Sequence, residues 1–356
     1  MRVIAVHLLN DYSGSPKVLM QLLKGWTKKN VETHLFTCGG REGFLSAIPQ
    51  VHNHFYWYQF AKNPLARLLF LVVSQLLLGI KLLFILKKSD VLYINTVLPF
   101  GAGIVGKIKG CKVIYHIHET SMKPLVLKKF LFGVVQWSAT EVVYVSHFLA
   151  KQEELNTPKN VLYNVLEEQF VHQAQQHVNH EKSAKIVLMI CSLKAYKGVN
   201  EFVTLAKMNL AFTFKLVVNA SQLDIDAYFK EEKLPTNLLI YSTQKDTHPF
   251  YQEASILLNL SDVHLWVETF GLTILEGMAY GLPAIVPPVG GVVELIDEGK
   301  NGYLIDSKNT ELISIKINEL LTNPTLYQQM SKAANEKSML FGADYFETES
   351  MRIISK

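Results

Sequence analysis

The feature that most restricts this 356-residue sequence is a recurring alternation of short, almost wholly apolar runs with longer stretches whose apolar positions fall at helical spacing. In the first half, Val3–Leu9, Val31–Thr37, His54–Tyr58, Val91–Asn95, Lys112–His116 and Glu141–Val145 read as strands. Val3–Leu9 and Val91–Asn95 are largely apolar on both faces, which a strand needs when helices cover both sides of its sheet. Helical stretches fall between them. Pro16–Lys29 is one, with Ser15 as the expected cap and Pro16 at the first helical position. Alternation of this kind predicts an α/β protein built on a doubly wound parallel sheet.

The pattern then starts again. After Gln169–Ala184, a polar stretch expected to hold little structure, new strands are expected at Ile186–Cys191, Phe214–Val218, Leu238–Tyr241, Ile256–Leu260 and Ala284–Val286. The expectation is two Rossmann-like domains, residues 1–165 and 166–341, with an amphipathic terminal helix over 342–356 crossing back to the first. A ligand cleft between the carboxyl ends of the two sheets is the default for such an architecture.

Composition narrows the function classes. A hydrophobic share of 49% against 19% charged residues excludes a disordered chain. The net charge of +4 is too small to argue for nucleic acid, which is not expected as a partner. Cys38, Cys111 and Cys191 are few and far apart, so neither a disulfide framework nor a clustered zinc site is indicated, and a reducing compartment fits. The opening run Val3–Val6 is too short for the apolar core of a signal peptide.

One stretch raises a membrane question. Leu68–Leu86 is interrupted only by Ser74, Gln75, Gly79 and Lys81, near the minimum for a spanning helix. Arg67, Ser74, Lys81 and Lys88 recur every seven residues and form one polar seam on a helix, so a helix of the soluble fold is preferred, either buried or lying at a lipid interface. Met122–Trp137, with Lys123, Lys128 and Lys129 among aromatic and aliphatic residues, has the character of a segment drawn to an anionic surface.

The segment richest in chemistry is Glu268-Thr-Phe-Gly-Leu-Thr-Ile-Leu-Glu276, continuing to Pro283. Phe270-Gly271 suggests that a helix begins between the two carboxylates, leaving free backbone N–H groups to hold a diphosphate. Glu276 is suited to accept from a ribose diol, and Glu268 from sugar hydroxyls. The plain alternative is two solvated glutamates around an ordinary helix start. His116 and His118 point to one side of a continuing strand. A zinc site formed by them with Glu119 lacks a further ligand at suitable spacing.

The Glu-x7-Glu segment, with the strand Ala284–Val286 and the turn Gly290-Gly291-Val-Val-Glu294, resembles the signature of family 4 retaining glycosyltransferases of the GT-B fold, glycosyltransferase group 1 in type. The likeness runs over nearly the whole chain and is most specific in its second half. It implies transfer of a sugar from a nucleotide-diphosphate donor, UDP-linked before GDP-linked, with retained anomeric configuration. It places the nucleotide ribose at Glu276, the diphosphate near Lys197 and the N–H groups around Phe270, Gly271, Leu272 and Thr273, and the sugar between Glu268 and His118. Cys191-Ser-Leu-Lys194-Ala-Tyr-Lys197-Gly198 resembles the turn where an Arg and a Lys grip the donor phosphates. Lys197 fits the Lys, whereas Ser192 stands at the Arg position and leaves Lys194 as its substitute. Ser13-Gly14-Ser15-Pro16-Lys17 resembles the family loop that approaches the donor phosphate, with Gly14 allowing the approach, and Ser242–Lys245 is a region for base contacts.

A cation beside a leaving diphosphate does what a metal does in other transferases, and with no Asp-x-Asp metal motif recognised in the chain, no metal and no cofactor are expected. The family's acceptor side is the first domain, whose two apolar, basic-edged stretches imply a lipid-linked or saccharide acceptor at an anionic membrane surface. The setting that follows is bacterial surface polysaccharide assembly, lipopolysaccharide or capsule, by a cytoplasmic protein peripheral on the inner face of the membrane. Two other readings remain: a catalytically silent nucleotide-sugar binding subunit, which the absent Arg at Ser192 would suit, and a GT-B nucleotide-sugar epimerase.

Overall fold

The computed structural model describes residues 1–181 and 184–355. The chain forms two compact units, Met1–Asn164 with Asp344–Lys356, and Val165–Ala343.

The first unit holds a parallel sheet of β1 (Arg2–Val6), β2 (Glu32–Cys38), β3 (Val51–Tyr56), β4 (Val91–Asn95), β5 (Lys112–Ile117), β6 (Glu141–Tyr144) and β7 (Lys159–Val161), in the order β3-β2-β1-β4-β5-β6-β7. Its helices are α1 (Gly14–Lys28), α2 (Pro64–Ile85), α3 (Phe100–Lys109), α4 (Leu125–Ser138) and α5 (His147–Gln152). Val3–Val6 and all of β4 are buried, as strands covered on both faces must be. From β1 the chain winds outward through β2 and β3, then returns past β1 to β4. The winding therefore reverses between β1 and β4, and right-handed crossovers put α1 on one face and α2, α3 and α4 on the other.

Three local expectations are corrected. The cap of α1 is Ser13, not Ser15. Ser13 is extended, and its hydroxyl donates to Asp11 Oδ1 at 2.5 Å rather than capping the helix. Pro16 sits inside the first turn, where a missing N–H costs nothing because that turn has no helical partner for it. The stretch Gln169–Ala184 is not structure-poor, since α6 (Glu168–Gln176) lies largely in it. This helix buries Ala174 and rests on Phe170, whose ring lies 4.3 Å from that of His248, so it carries no apolar stripe for periodicity to detect. In α2 the orientation is the reverse of an ordinary surface helix. Ser74 and Gln75 are turned inward, 0% and 1% exposed, beside Leu71, Leu78, Gly79 and Leu82. Gln75 Oε1 accepts from the Gly101 N–H at 3.2 Å, and a Cβ at Gly101 would collide with the Gln75 carbonyl, so the two helix backbones lie close together.

The second unit repeats the design with β8 (Ile186–Ser192), β9 (Thr213–Asn219), β10 (Leu238–Tyr241), β11 (Ile256–Leu258), β12 (Ala284–Val286) and β13 (Gly302–Leu304), all parallel in the order β10-β9-β8-β11-β12-β13. Besides α6 it has α7 (Val199–Met208), α8 (Gln222–Tyr228), α9 (His248–Glu253), α10 (Leu272–Ala279), α11 (Thr310–Thr322) and α12 (Pro324–Ser338). Its winding reverses between β8 and β11. Gly198 opens α7 at φ +79, and a Cβ there would collide with the backbone of Leu260, so only glycine lets the β8–α7 turn lie against the end of β11.

The last helix, α13 (Ala343–Ser355), packs in the first unit. Trp26 Nε1 donates to Ser350 Oγ at 3.3 Å, Lys112 Nζ donates to the Ile353 carbonyl, and Phe346, Ile353 and Ile354 are buried.

Candidate active site

Open parallel sheets gather ligands outside the carboxyl ends of their strands where the winding reverses. Each unit has a polar cluster at that place. In the second unit, β8 runs into a 3-10 turn, Ala195–Lys197, and Lys197 Nζ forms an ion pair with Glu268 Oε1. Ser261 Oγ, just beyond β11, donates to the same oxygen at 3.2 Å, and the Lys197 ammonium sits 4.8 Å from the centre of the Trp266 ring. Burial alone would raise the Glu268 carboxyl, but the Lys197 charge and hydrogen bonds from Lys197, Ser261 and Asn259 hold it below the usual carboxylate range. It is therefore an anion at neutral pH. The neighbouring Cys191 thiol is pushed up to about 12 by burial and is no nucleophile.

From Glu268 the chain turns at Gly271, φ +98, into α10. No side chain caps that helix, and the first N–H bonded inside it is that of Ile274, which accounts for free N–H groups on Leu272 and Thr273. Glu276 lies one turn further on, only 6% exposed, and accepts from the Tyr251 hydroxyl at 2.6 Å. Burial and the Glu276 charge raise the Tyr251 phenol well above its ordinary value, so Tyr251 stays a donor and fixes the carboxylate. Phe270 turns inward against Phe341, with ring centres 5.8 Å apart, so its ring serves packing. Lys194 is exposed on the turn.

In the first unit the cluster gathers at β1, β4 and β5. Asn95, the last residue of β4, donates through Nδ2 to the Ser15 carbonyl at 3.0 Å, next to Gly14. A carbonyl only accepts, so this bond sets the amide orientation and turns Oδ1 to His118 Nε2 at 2.9 Å. His118 therefore holds its proton on Nε2 and presents Nδ1 as an acceptor. Burial, with His116 and His7 adding to it, pushes the His118 imidazole well below its ordinary value and keeps it neutral. The His116 ring lies 4.3 Å away, its Nδ1 2.9 Å from the Tyr93 hydroxyl. Glu119 is raised to about 7 by burial. Thr96, just after Asn95, holds φ +75, a strained conformation for a β-branched residue of the kind found at functional sites.

Gly14 is exposed at the start of α1, and a Cβ there would meet nothing within 4 Å, so the fold itself makes no demand for glycine. Sequence reasoning missed Asn95, Ser261 and Tyr251. Asn95 and Ser261 carried one usable signal, their place at or just after the carboxyl end of a strand beside a winding reversal. An Asp-x-Asp pair does stand in the chain, Asp224-Ile225-Asp226, so the expectation of no metal loses that ground. Asp224 closes a capping box with Ser221, and Asp226 accepts from Gln222 Nε2 at 2.9 Å. Among the described residues no group of three or more His, Cys, Asp or Glu side chains is arranged to hold a metal.

Two doubly wound parallel domains, each with a polar cluster at its own reversal, make this a protein of the GT-B class. The model of "Glycosyltransferase Family 4" matches residues 12–156, and that of "Glycosyl transferases group 1" matches residues 171–337. The chain belongs to the group 1, family 4 glycosyltransferases and is a transferase enzyme. Among its relatives, the N-acetyl-alpha-D-glucosaminyl L-malate synthase of Bacillus anthracis is 24% identical over 375 residues, covering 99% of this chain and 94% of its own. Among solved structures, HepE of Anabaena in complex with UDP and glucose superposes with a TM-score of 0.80 at 16% identity over 99% of both chains. TarM of S. aureus, solved with Fondaparinux, alpha-GlcNAc-glycerol and UDP, gives 0.78 at 12% identity over 100% of both chains. At those identities the superpositions show the fold alone.

Proposed function

We propose that the enzyme transfers a sugar from a UDP-sugar donor, with GDP-sugar as the second choice, to a lipid-linked or saccharide acceptor in bacterial surface polysaccharide biosynthesis, with retained anomeric configuration. The observation that carries this is the run from Lys197 through Glu268 and the open N-terminus of α10 to the Tyr251-held Glu276. It supplies, in order, a cation, an anion, bare N–H groups and a buried carboxylate. These match a diphosphate, sugar hydroxyls and a ribose diol. The UDP complexes of HepE and TarM support the choice of base.

In this reading the diphosphate takes the N–H groups of Leu272 and Thr273 and draws on the Lys197 charge. Glu276 accepts from the ribose. Glu268, kept ionised by Lys197, accepts from hydroxyls of the transferred sugar. The anomeric carbon–oxygen bond to the diphosphate breaks as the acceptor oxygen bonds to the same face of that carbon. The acceptor proton passes to the departing diphosphate oxygen, so no protein nucleophile is needed. Lys197 and the helix N-terminus offset the growing charge, and the reaction is assigned no metal. The enzyme is placed in the cytoplasm at the inner face of the membrane, where a lipid-linked acceptor is presented.

Thermal unfolding with UDP, GDP, ADP and CDP, in EDTA, tests the donor site. UDP at about 100 times its dissociation constant should add about 2.7 kcal/mol. The gain should vanish in Glu276→Ala and shrink in Lys197→Met. A parent protein that none of the four nucleotides stabilises would sink the reading.

A further inference from the structure

We infer that the α2–α4 face of the first unit is a membrane-docking surface that seats α2 flat in an anionic lipid interface. The inference rests on the membrane-proximal acceptor proposed above and adds to it the surface that docks.

The reversed helix α2 is the starting point. Its buried positions, Leu71, Ser74, Gln75, Leu78, Gly79 and Leu82, follow one helical stripe and include its uncharged polar side chains. The opposite stripe carries Leu65, Leu69, Leu76, Leu77, Ile80 and Phe84, all exposed, Leu65 to 78% and Phe84 to 87%. A soluble surface helix normally does the opposite, because apolar area left in water forgoes its transfer free energy. Next to α2 lies α3, and next to α3 lies α4, which adds exposed Val126, Phe130 and Trp137 to the same layer.

Charge decides what covers this face. Between Gly43 and Thr140 the sequence has eleven Lys and Arg and only two acids, Asp90 and Glu119. Asp90 is buried in an ion pair with Arg2, so it does not offset the positive field. The apolar stripe is bracketed by cations, Lys62 and Arg67 at the start of α2, Lys87 and Lys88 just past its end, and Lys123 and Lys129 beside α4. The Arg67 guanidinium lies 4.4 Å from the centre of the Phe60 ring, a cation and an aromatic together at the helix entry. Apolar side chains framed by Lys and Arg complement an interface of acyl chains beneath anionic headgroups.

The sheet order excludes the alternative in which α2 crosses the bilayer. At 22 residues it is long and apolar enough to do so. Yet β3 precedes it and β4 follows it, and both belong to one continuous sheet, β3-β2-β1-β4. A spanning α2 would leave these strands on opposite sides of the membrane.

The test is flotation of the full-length protein with vesicles of phosphatidylcholine alone and of phosphatidylcholine with phosphatidylglycerol. Binding is expected only with phosphatidylglycerol, with salt weakening it and brominated lipid quenching tryptophan. Leu76→Asp with Ile80→Asp should cut partitioning on the order of tenfold or more, and Lys123→Glu with Lys129→Glu should act through the anionic lipid. All four positions are exposed, and UDP-induced stabilisation, read without lipid, checks the fold and the donor site separately. Absence of flotation, equal binding to neutral vesicles, or resistance to alkaline carbonate extraction would overturn the inference. So would a dimer dissolved by Ile80→Asp in a protein that ignores vesicles, since a second copy would then cover the face.

Discussion

Asn95 does more for the first-unit cluster than its single bond to His118 suggests. Its Nδ2 is held by the Ser15 carbonyl, so one amide sets the His118 tautomer and ties the α1 loop to β4. Around it stand ionisable groups that burial has driven in opposite directions. The His7 imidazole is lowered to about 4 and that of His116 to about 3, both by burial, while Glu119 rises to about 7 from 4.5. The signs give a prediction. Below pH 4.5 Glu119 is protonated in both states and contributes no pH dependence. As pH rises toward 7 only the unfolded chain ionises, so this group lowers stability, and above 7 the loss is constant. Glu119→Gln should therefore gain about 1–3 kcal/mol over the parent at pH 8 and little at pH 4.5, read from urea midpoints. The two histidines act in the opposite sense below pH 6.5, so the effect appears only as the difference between variant and parent.

Among the elements, α2 and α3 show how a polar residue in an apolar helix can belong to its packing. Gln75 reaches the Gly101 N–H, and the glycine permits the approach that this bond needs. Gly101→Ala should push the helices apart and cost about 1–3 kcal/mol, measured by urea denaturation, through overpacking against a backbone rather than a yielding side chain. The seven-residue spacing of Arg67, Ser74, Lys81 and Lys88 was legible in the sequence. That Ser74 would turn inward while Arg67 and Lys88 stay in water was not, because periodicity locates a stripe without saying what lies opposite it. Likewise β7, Lys159-Asn160-Val161, and β13, Gly302-Tyr303-Leu304, are not wholly apolar runs and exist through pairing with β6 and β12. By contrast β4, β10 and β12 were legible to the residue, since each is an almost uninterrupted apolar run, fully buried in β4 and β12.

At the scale of the molecule, the chain starts in one unit, builds the second, and returns to the first as α13. Phe346, Ile353 and Ile354 are buried there, and the Trp26 indole finds its partner in Ser350. Removing residues 343–355 should lower the melting temperature of the first unit, since each of those side chains is worth about 1.5–3 kcal/mol when fully buried. Limited proteolysis should then cut the first unit sooner, while the UDP-induced stabilisation proposed for the second should persist. The sequence by itself determined the doubly wound class and its repetition, the start of α10 between Glu268 and Glu276, and the placing of Lys197 on a turn after a strand. Those features are local, fixed by apolar runs and by glycines where the backbone turns. Tertiary structure decided the partners. Lys197 meets Glu268, Tyr251 meets Glu276, Asn95 meets His118 and α2 turns Ser74 and Gln75 inward, because parallel crossovers bring together residues far apart in the chain, and spacing along the chain carries no record of such meetings.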